Sequence, residues 1–473
     1  MAELCAIYLW LMGIAILGWM GWEYVYGKHD LLSFRNLYLV GFVLNQCHSP
    51  ADTLWYDNWW GFKVDDKDGV ALECAFLTTV YMIIFVISYN WAPGAKSIGA
   101  KIKAPLYDPT PAQLLAFASV LMGMALALRA AMYVLPFVLG VLSYRTAVGL
   151  CAVSCGFVGW AVGRKMWNPA FLVYGIGIIM VNLGIASLGF SRRPLVAVFA
   201  ALVWGFYFSY WRYQRPAGVM AKIVAISIVP ILVVASFSSI RESGKADRSV
   251  GNIVNRMMTQ GDIIHGLRML SSGDACGPTE LWTMENIPDR FEPRHLFSLK
   301  FFFALNIPRA IWPDKPVTLG NLIPTYIRME GVDLKSHSFG VGIVGYAAGE
   351  GGFYAVIVYG FCSAIFLRFF DQIIKGNILN PFLVIPMAAD MGQLMGMARG
   401  DVSLFAHTLV TAVLLGSVIT LLVAWAIAPR GIPRPPQVRG KWRHPELAVQ
   451  PVQRQYVTVW VPAEWAAQQQ RRS

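Results

Sequence analysis

Apolar runs of about 20 residues fill most of this chain, and runs of that length predict helices that cross a membrane. We expect about eleven such spans from the pattern. They lie near residues 4–26, 33–49, 70–91, 111–128, 146–163, 170–190, 194–211, 219–237, 352–370, 381–398 and 404–427. The runs are too long and too uniformly apolar for β-barrel strands, which have about ten alternating residues. The chain is therefore predicted to be an all-α integral membrane protein, a polytopic helical bundle.

Residues 130–144 form a shorter apolar stretch with two readings. The stretch contains Pro136 and is flanked by Arg129 and Arg145. We interpret it as an interfacial or re-entrant segment. If it crosses the membrane instead, the number of spans rises to about twelve.

One long polar segment, residues 238–351, interrupts the apolar pattern. It mixes acidic and basic residues, but its apolar stretches 263–270 and 296–305 are compatible with helices, so we expect it to pack against the bundle. Four parts follow from this division. They are an N-terminal membrane bundle (1–237, about eight spans), the large extracytoplasmic loop (238–351), C-terminal membrane helices (352–427, about three spans) and a basic tail (428–473) that we expect to be disordered.

The composition agrees with a membrane protein. Hydrophobic residues make up 56% of the chain and charged residues only 14%, where a soluble domain has about a quarter. Much of the net charge of +12 lies in the tail and does not indicate nucleic acid. The seven cysteines contain no CxxC pair, so we expect neither a disulfide framework nor a zinc site. The N-terminal run lacks a clear cleavage site and is expected to be a retained span.

Basic residues in short loops predict the orientation, because such residues favour the cytoplasm. In the eleven-span arrangement they share one side with the basic tail, so the C-terminus is expected to be cytoplasmic. These residues are Lys28, Lys96, Lys101, Lys103, Arg164, Lys165, Arg212, Arg215, Arg368 and Lys375. The acidic and aromatic loop 50–69, the large loop and the N-terminus are then expected on the other side.

Two short turns on that outer side oppose the usual charge bias. They contain Arg192 and Arg193 in one case, and Arg399 with Asp401 in the other. An arginine at mid-bilayer costs about 2.5–3.5 kcal/mol by insertion scales. The turns therefore either reach headgroups by snorkelling or form an anion site at the membrane face.

The large loop contains a stiff segment, residues 308–316, with three prolines and Trp312. Prolines fix the backbone and exclude helix there, and tryptophan favours the membrane interface. Arg309 and Lys315 would then stand at headgroup depth, where a guanidinium fork and an ammonium can hold a diphosphate. The alternative is a turn that only anchors the loop to the membrane.

Two residues further along are candidates for a general base. His337 precedes a glycine-rich stretch and has an ordinary pKa suited to proton transfer, although a lone histidine also serves as a structural hydrogen-bonding group. Glu350 lies at the outer end of the next span and competes for the role. Asp390 and Gln393 lie within a predicted span, where an ionisable residue is a functional candidate or the partner of an arginine such as Arg399.

The segment 308–316, followed by Gly349-Glu350 and by Arg399-Gly400-Asp401, resembles the O-antigen and oligosaccharide repeat-unit polymerases of the Wzy type. The resemblance covers roughly residues 190–410 and includes the turn with Arg192. It implies a GT-C-like membrane glycosyltransferase at the periplasmic face of the bacterial inner membrane. Such an enzyme transfers the growing chain from undecaprenyl diphosphate to the sugar of an incoming lipid-linked repeat.

The resemblance also implies roles for individual residues and partners. His337 or Glu350 would be the base. The group that binds diphosphate or anionic glycan would comprise Arg192, Arg193, Arg309 and Arg399, to which we add Lys315, Arg328 and Asp401. The partners would be an undecaprenyl-diphosphate-linked oligosaccharide, membrane lipids and the chain-length regulator usual for the family, with no nucleic acid. We expect no cofactor and no metal, because the chain has no Walker, HExxH or Rossmann motif and the loop has no DxD-like pair.

Three other functions stay open at this point. A lipid-linked glycan ligase would use a separate acceptor, and its outward arginine pair and loop histidine are similar to features seen here. A transporter or flippase would need charged residues along a through-path and some repeat symmetry. A structural membrane scaffold would need no site.

Overall fold

The chain folds as a helical bundle in the computed structural model. The structure describes residues 1–102, 109–164, 168–188, 192–242, 255, 259, 262–271, 276–305, 307, 311–327 and 338–427. Helix accounts for 81% of the structure, and no strand occurs among the described residues. The prediction of an all-α protein is confirmed.

The α-helices are numbered here in chain order. They are α1 (Ala2–Val25), α2 (Phe34–Phe42), α3 (Ser49–Tyr56), α4 (Lys67–Trp91), α5 (Pro93–Lys101), α6 (Pro111–Ala131), α7 (Phe137–Arg164), α8 (Pro169–Ser187), α9 (Arg192–Ser209), α10 (Pro216–Glu242), α11 (Ile263–Ser271), α12 (Cys276–Asn286), α13 (Phe297–Ala304), α14 (Leu319–Tyr326), α15 (Ile343–Gly376), α16 (Pro381–Val384), α17 (Met391–Gly396) and α18 (Val402–Ile427). Helix α15 is broken near its start, because Gly351 and Gly352 have non-helical backbone angles.

Eight helices are long and apolar enough to cross a membrane, namely α1, α4, α6, α7, α8, α10, α15 and α18. They make the protein a multi-pass helical membrane protein. The predicted total of eleven spans is not confirmed. Helix α9, which covers most of the predicted span 194–211, has 18 residues, but Arg192 and Arg193 at its start lower its mean hydropathy.

Two of the predicted spans are not continuous α-helices. The region 33–49 consists of α2 followed by the π-helical turn Val43–His48, and 381–398 consists of short α-helical and 3-10 turns. Pro381 and Pro386 lack the N–H that a helix interior needs, which favours breaks there. Every residue from 381 to 392 is buried, as expected for irregular backbone that is tolerated at membrane depth only inside protein.

The interpretation of 130–144 as a separate interfacial or re-entrant segment is wrong. Helix α6 ends at Ala131, a short turn covers 132–136, and the remaining residues belong to α7. Pro136 directly precedes α7, where proline disturbs no intrahelical hydrogen bond. The stretch therefore adds no twelfth span.

Helices α4, α7, α9, α15 and α18 begin at the same end of the bundle, which we call the arginine end because α9 starts there with Arg192. Helices α7 and α9 run parallel, since Gly156 lies against Ala201 and Gly163 lies against Ser209. The contacts of α18 with α7, and those of α15 with α4, advance along both helices together, so each of these pairs also runs parallel. The arginine turns and the beginning of α15 therefore share one end.

Polar contacts tie the connections together at the opposite end of the bundle. The Arg212 guanidinium donates to both oxygens of Asp30 over 2.6 and 3.1 Å. The Asp371 carboxylate accepts from the backbone N–H groups of Phe34 and Arg35 over 2.7 and 3.1 Å. Arg212, one of the basic residues used for the orientation prediction, therefore lies away from the arginine turns.

The polar segment between α10 and α15 packs against the bundle where it is described. Its two predicted helix-compatible stretches form α11 and α13. Gly266 of α11 lies against the backbone of Ala235 in α10, and α12 packs on α3 and α15. The expectation that this segment contacts the membrane helices is confirmed for these residues.

We predict that Gly205→Ala destabilises the bundle. A Cβ at this position would lie 2.1 Å from the carbonyl oxygen of Gly156 on α7, so two helix backbones would have to separate. Overpacking of this kind costs about 1–3 kcal/mol. Thermal unfolding of the detergent-solubilised protein measures the loss. Gly184→Ala on α8, where a Cβ meets nothing within 4 Å, is the matched control, and equal stability of the two variants would contradict the packing described here.

Candidate functional site

A cavity of about 190 Å³ lies at the arginine end. It is lined by residues from α9, from the segment that leads into α15 and the start of α15, and from the turn between α17 and α18 and the start of α18. These are Arg193, Ser338, Phe339, Gly340, Tyr346, Arg399, Gly400, Asp401, Leu404 and Phe405. The cavity therefore joins Arg193, Arg399 and Asp401, which the sequence analysis took from two distant turns.

Arg193 reaches the cavity from the start of α9. Its guanidinium carbon lies 4.3 Å from the centre of the Phe405 ring, a cation–π distance. The backbone of Arg193 packs against Gly392 of α17, where a Cβ would come within 2.4 Å of the Arg193 carbonyl oxygen. Close packing of α17 thus fixes the position at which this side chain leaves the helix.

Arg399 ends a 3-10 turn, and the start of α15 fixes its backbone. The N–H of Gly342 donates to the Arg399 carbonyl oxygen over 2.7 Å. The Arg399 side chain passes over Gly340, where a Cβ would lie 2.6 Å from Nε. The following Gly400 has φ +120° and no space for a Cβ beside the Tyr346 ring. Glycine is therefore required at 400 by conformation as well as by space.

Asp401 places a carboxylate in the cavity and caps α18. Its Oδ1 accepts from the Ser403 hydroxyl over 2.6 Å and from the Leu404 N–H over 3.2 Å. The residue is only 7% exposed. Burial raises the pKa of the Asp401 carboxyl, against the opposing effect of these hydrogen bonds, of Thr318 and of Arg193. Asp401 is thus a better proton acceptor than an ordinary aspartate.

The charges that line the cavity favour an anionic ligand. Two guanidinium groups face one carboxyl in a small space. Arginine presents a planar fork of donors that matches phosphate oxygens, and it stays protonated. Asp390, buried on the neighbouring turn, interacts electrostatically with Arg193 and Arg145. The sequence analysis gave Arg399 as an example of a partner for Asp390, whereas the structure pairs Asp390 with Arg193 and Arg145.

Glu350 is placed outside the cavity, in a buried hydrogen-bond network. The residue is 0% exposed. Its carboxylate accepts from the Ser298 N–H over 2.9 Å, from the Ser298 hydroxyl over 2.6 Å and from the Tyr359 hydroxyl over 2.5 Å. These contacts hold the start of α13 against α15, and they favour a structural role over that of a base.

Lys315 also binds backbone groups away from the cavity lining. It is 8% exposed, and its Nζ donates to the carbonyl oxygens of Leu305 and Ile307 over 3.2 and 3.0 Å. The ammonium thereby caps the carboxyl-terminal end of α13. Arg192 starts α9 beside Arg193, but it does not line the cavity.

Three predicted site residues lie outside the described residues, namely Arg309, Arg328 and His337. Their assignments stay predictions. Ser338, the neighbour of His337, lines the cavity. The chain therefore brings the position next to His337 to the same place as the two arginines.

The sequence analysis missed several residues that shape the site. Tyr346 lines the cavity, and its hydroxyl accepts from the Gly320 N–H over 2.9 Å. Gln46 and Glu280 do not line the cavity, but they bind each other, and Gln46 donates to the backbone next to Arg399. Gln46 had a sequence signal, because an amide within an apolar run is unusual. Tyr346 had none, since tyrosine is common in membrane helices near the interface.

No protein-family model, curated protein or solved structure matches this chain. A functional conclusion therefore rests on the residues of the cavity and on the helices that position them.

We predict that Glu350→Gln lowers stability. The amide NH₂ would face donors from Ser298 and Tyr359, and buried donors left without an acceptor cost about 1–3 kcal/mol. Thermal unfolding in detergent measures the effect, and Tyr359→Phe is expected to shift stability in the same direction. Glu3→Gln, at an exposed position of α1, is the control. Full stability of Glu350→Gln would contradict this structural role.

Proposed function

We propose that the protein is a membrane glycosyltransferase that polymerises undecaprenyl-diphosphate-linked oligosaccharide repeat units. The observation that carries this proposal is the meeting of Arg193, Arg399 and Asp401 in one cavity at one end of an apolar bundle. The resemblance to the Wzy-type polymerases supports the same activity. The product would be an O-antigen, a capsular polysaccharide or an exopolysaccharide.

The two arginines act on the leaving diphosphate. Transfer breaks the bond between the anomeric carbon and the phosphate oxygen of the lipid-linked chain, and the electron pair stays on that oxygen. Arg193 and Arg399 stabilise the charge that develops there, an effect worth about 10²–10³-fold for one preorganised donor. No metal takes part in this mechanism.

Asp401 is the base in this mechanism, although the sequence analysis placed it among the binding residues. An acceptor sugar hydroxyl attacks the anomeric carbon, and its proton passes to the Asp401 carboxylate. Asp401 is the only carboxylate among the described lining residues, and burial raises its pKa toward that of an effective base. His337 remains the alternative, because its neighbour Ser338 lines the cavity.

A second cavity suits an amphiphilic substrate. It has a volume of about 290 Å³ and is lined mainly by apolar side chains of α13, α15 and α18. Its lining includes Met397, Val402 and Ser403, so it borders the turn that carries Arg399 and Asp401. A lipid-linked diphosphate requires such a polar site beside apolar surface.

The arginine end is proposed to face the periplasm. The basic connection with Arg212 lies at the opposite end, and basic short loops favour the cytoplasm. The protein would then be a multi-pass protein of the bacterial inner membrane, with its polar segment outside. A lipid-linked repeat would present its diphosphate at the depth of Arg193.

We predict that Arg193→Ala and Arg399→Ala each reduce polymer formation by about 10²-fold or more, since each removes a preorganised donor. Arg399→Lys should recover only part of the activity, because lysine lacks the planar fork. The measurement is the chain length formed from lipid-linked repeat by the purified protein. Arg290→Ala is the matched control, since Arg290 is exposed and paired with Asp65.

Other outcomes of this assay discriminate between the functions. Transfer that requires an added lipid A core acceptor would indicate a ligase. Uptake of lipid-linked repeat into proteoliposomes, unaffected by Arg399→Ala and without polymer, would indicate a transporter. Unchanged chain length with every acceptor would contradict a glycosyltransferase.

Asp401→Asn is predicted to lower turnover without lowering thermal stability. Asparagine caps helices about as well as aspartate, and it tolerates the φ of +41° at this position. We therefore expect unchanged thermal stability and a loss of turnover of about 10²–10⁴-fold, the contribution of a general base. Turnover at the wild-type level would exclude Asp401 as the base and direct the search to His337.

A further inference from the structure

Gln46 is buried outside the cavity lining, and both the nitrogen and the oxygen of its side-chain amide form hydrogen bonds. It lies on the π-helical turn Val43–His48 and is 0% exposed. Its Nε2 donates to the Ala398 carbonyl oxygen over 3.0 Å and to Glu280 Oε2 over 3.2 Å. Its Oε1 accepts from the Val344 N–H over 3.0 Å. One side chain therefore links three segments that are distant in sequence.

Glu280 supports Gln46 from α12. It is 0% exposed, and it lies so close to α15 that a Cβ at Gly342 would come within 2.3 Å of its Oε2. A Cβ at Gly345 would lie 2.9 Å from its Cγ. Burial raises the pKa of the Glu280 carboxyl well above its ordinary value, against the opposing effect of the hydrogen bonds from Gln46 and Gly345.

The two backbone groups that Gln46 binds flank the hydrogen bond that holds Arg399. Ala398 directly precedes Arg399, and Val344 lies two residues after Gly342, whose N–H donates to the Arg399 carbonyl oxygen. Gln46 thus fixes both sides of the junction between the cavity turn and α15. The Arg399 side chain leaves from this junction.

We propose that Gln46 and Glu280 form a positioning pair that sets where the Arg399 guanidinium stands in the cavity. Neither residue lines the cavity, so neither would touch the substrate. The proposal rests on the proposed function in one respect, because Arg399 is taken to bind phosphate. Its consequence for the backbone at 398–399 does not depend on any ligand.

A purely structural role gives a different expectation. Buried hydrogen-bonded polar groups specify one geometry, and a leucine in place of one of them leaves its buried partners unpaired, which lowers the free energy of unfolding. A purely structural pair would show only this loss of stability, whereas in a positioning pair Gln46→Leu and Glu280→Leu also loosen the junction. Glu280→Gln keeps the hydrogen bond to Gln46 and should behave as the wild type.

Hydrogen exchange of the ligand-free protein tests the positioning. We expect faster exchange in 341–346 and 398–404 in Gln46→Leu and in Glu280→Leu, including the Gly342 amide, which donates to Arg399 and not to Gln46. Glu280→Gln should exchange at the wild-type rate. Asn182→Leu is the control, because Asn182 is equally buried and donates to Ser154 far from this junction. Unchanged exchange in both leucine variants overturns the positioning pair.

Binding of inorganic pyrophosphate, measured by calorimetry in detergent, tests the consequence for the site. We expect about a tenfold weaker affinity in Gln46→Leu and Glu280→Leu, equivalent to about 1.4 kcal/mol, and an affinity within about twofold of the wild type in Glu280→Gln. If Arg399→Ala weakens binding but the leucine variants do not, the pair is overturned and the anion site stands. If Arg399→Ala binds as the wild type does, the proposed function fails, and exchange alone then decides whether the pair holds the backbone.

Discussion

The hydrogen bond from the Gly342 N–H to the Arg399 carbonyl oxygen, 2.7 Å long, is the contact on which the site depends. A backbone that leaves helical geometry inside a membrane bundle must find partners within the protein. Here the turn before α18 and the start of α15 satisfy each other, and Gln46 satisfies their neighbours. The backbone groups that the helix breaks leave without intrahelical partners thus form the hydrogen bonds that position Arg399.

Glycine makes this junction possible. Gly340 lies under the Arg399 side chain, Gly342 lies against Gln46 and Glu280, and Gly400 lies against the Tyr346 ring. At each position a Cβ would come within 2.6 Å of another atom. The segment can therefore approach the turn closely enough for backbone hydrogen bonds, and the charged groups that result face a cavity instead of lipid. Two half-buried arginines and a buried aspartate at one place are costly in a membrane protein, which favours a functional reason for keeping them.

Sequence patterns predicted the parts of this arrangement that depend on one segment at a time. Apolar runs predicted the membrane helices, and charges in tight turns predicted Arg193, Arg399 and Asp401. Continuity was mispredicted at 33–49, because hydropathy reports burial and does not report helix breaks. Glu280 looked like one more charge in a polar segment, since its partner Gln46 is 234 residues away. Only the folded chain brings such pairs together.

The accessibility of position 338 tests most directly whether an anion site lies at the outer face. In Ser338→Cys with Cys362, the one partly exposed native cysteine, replaced by serine, a membrane-impermeant maleimide should label position 338. The account predicts labelling in spheroplasts without permeabilisation, and protection by added polyprenyl diphosphate. Labelling only after permeabilisation, or labelling that the diphosphate does not reduce, would contradict it.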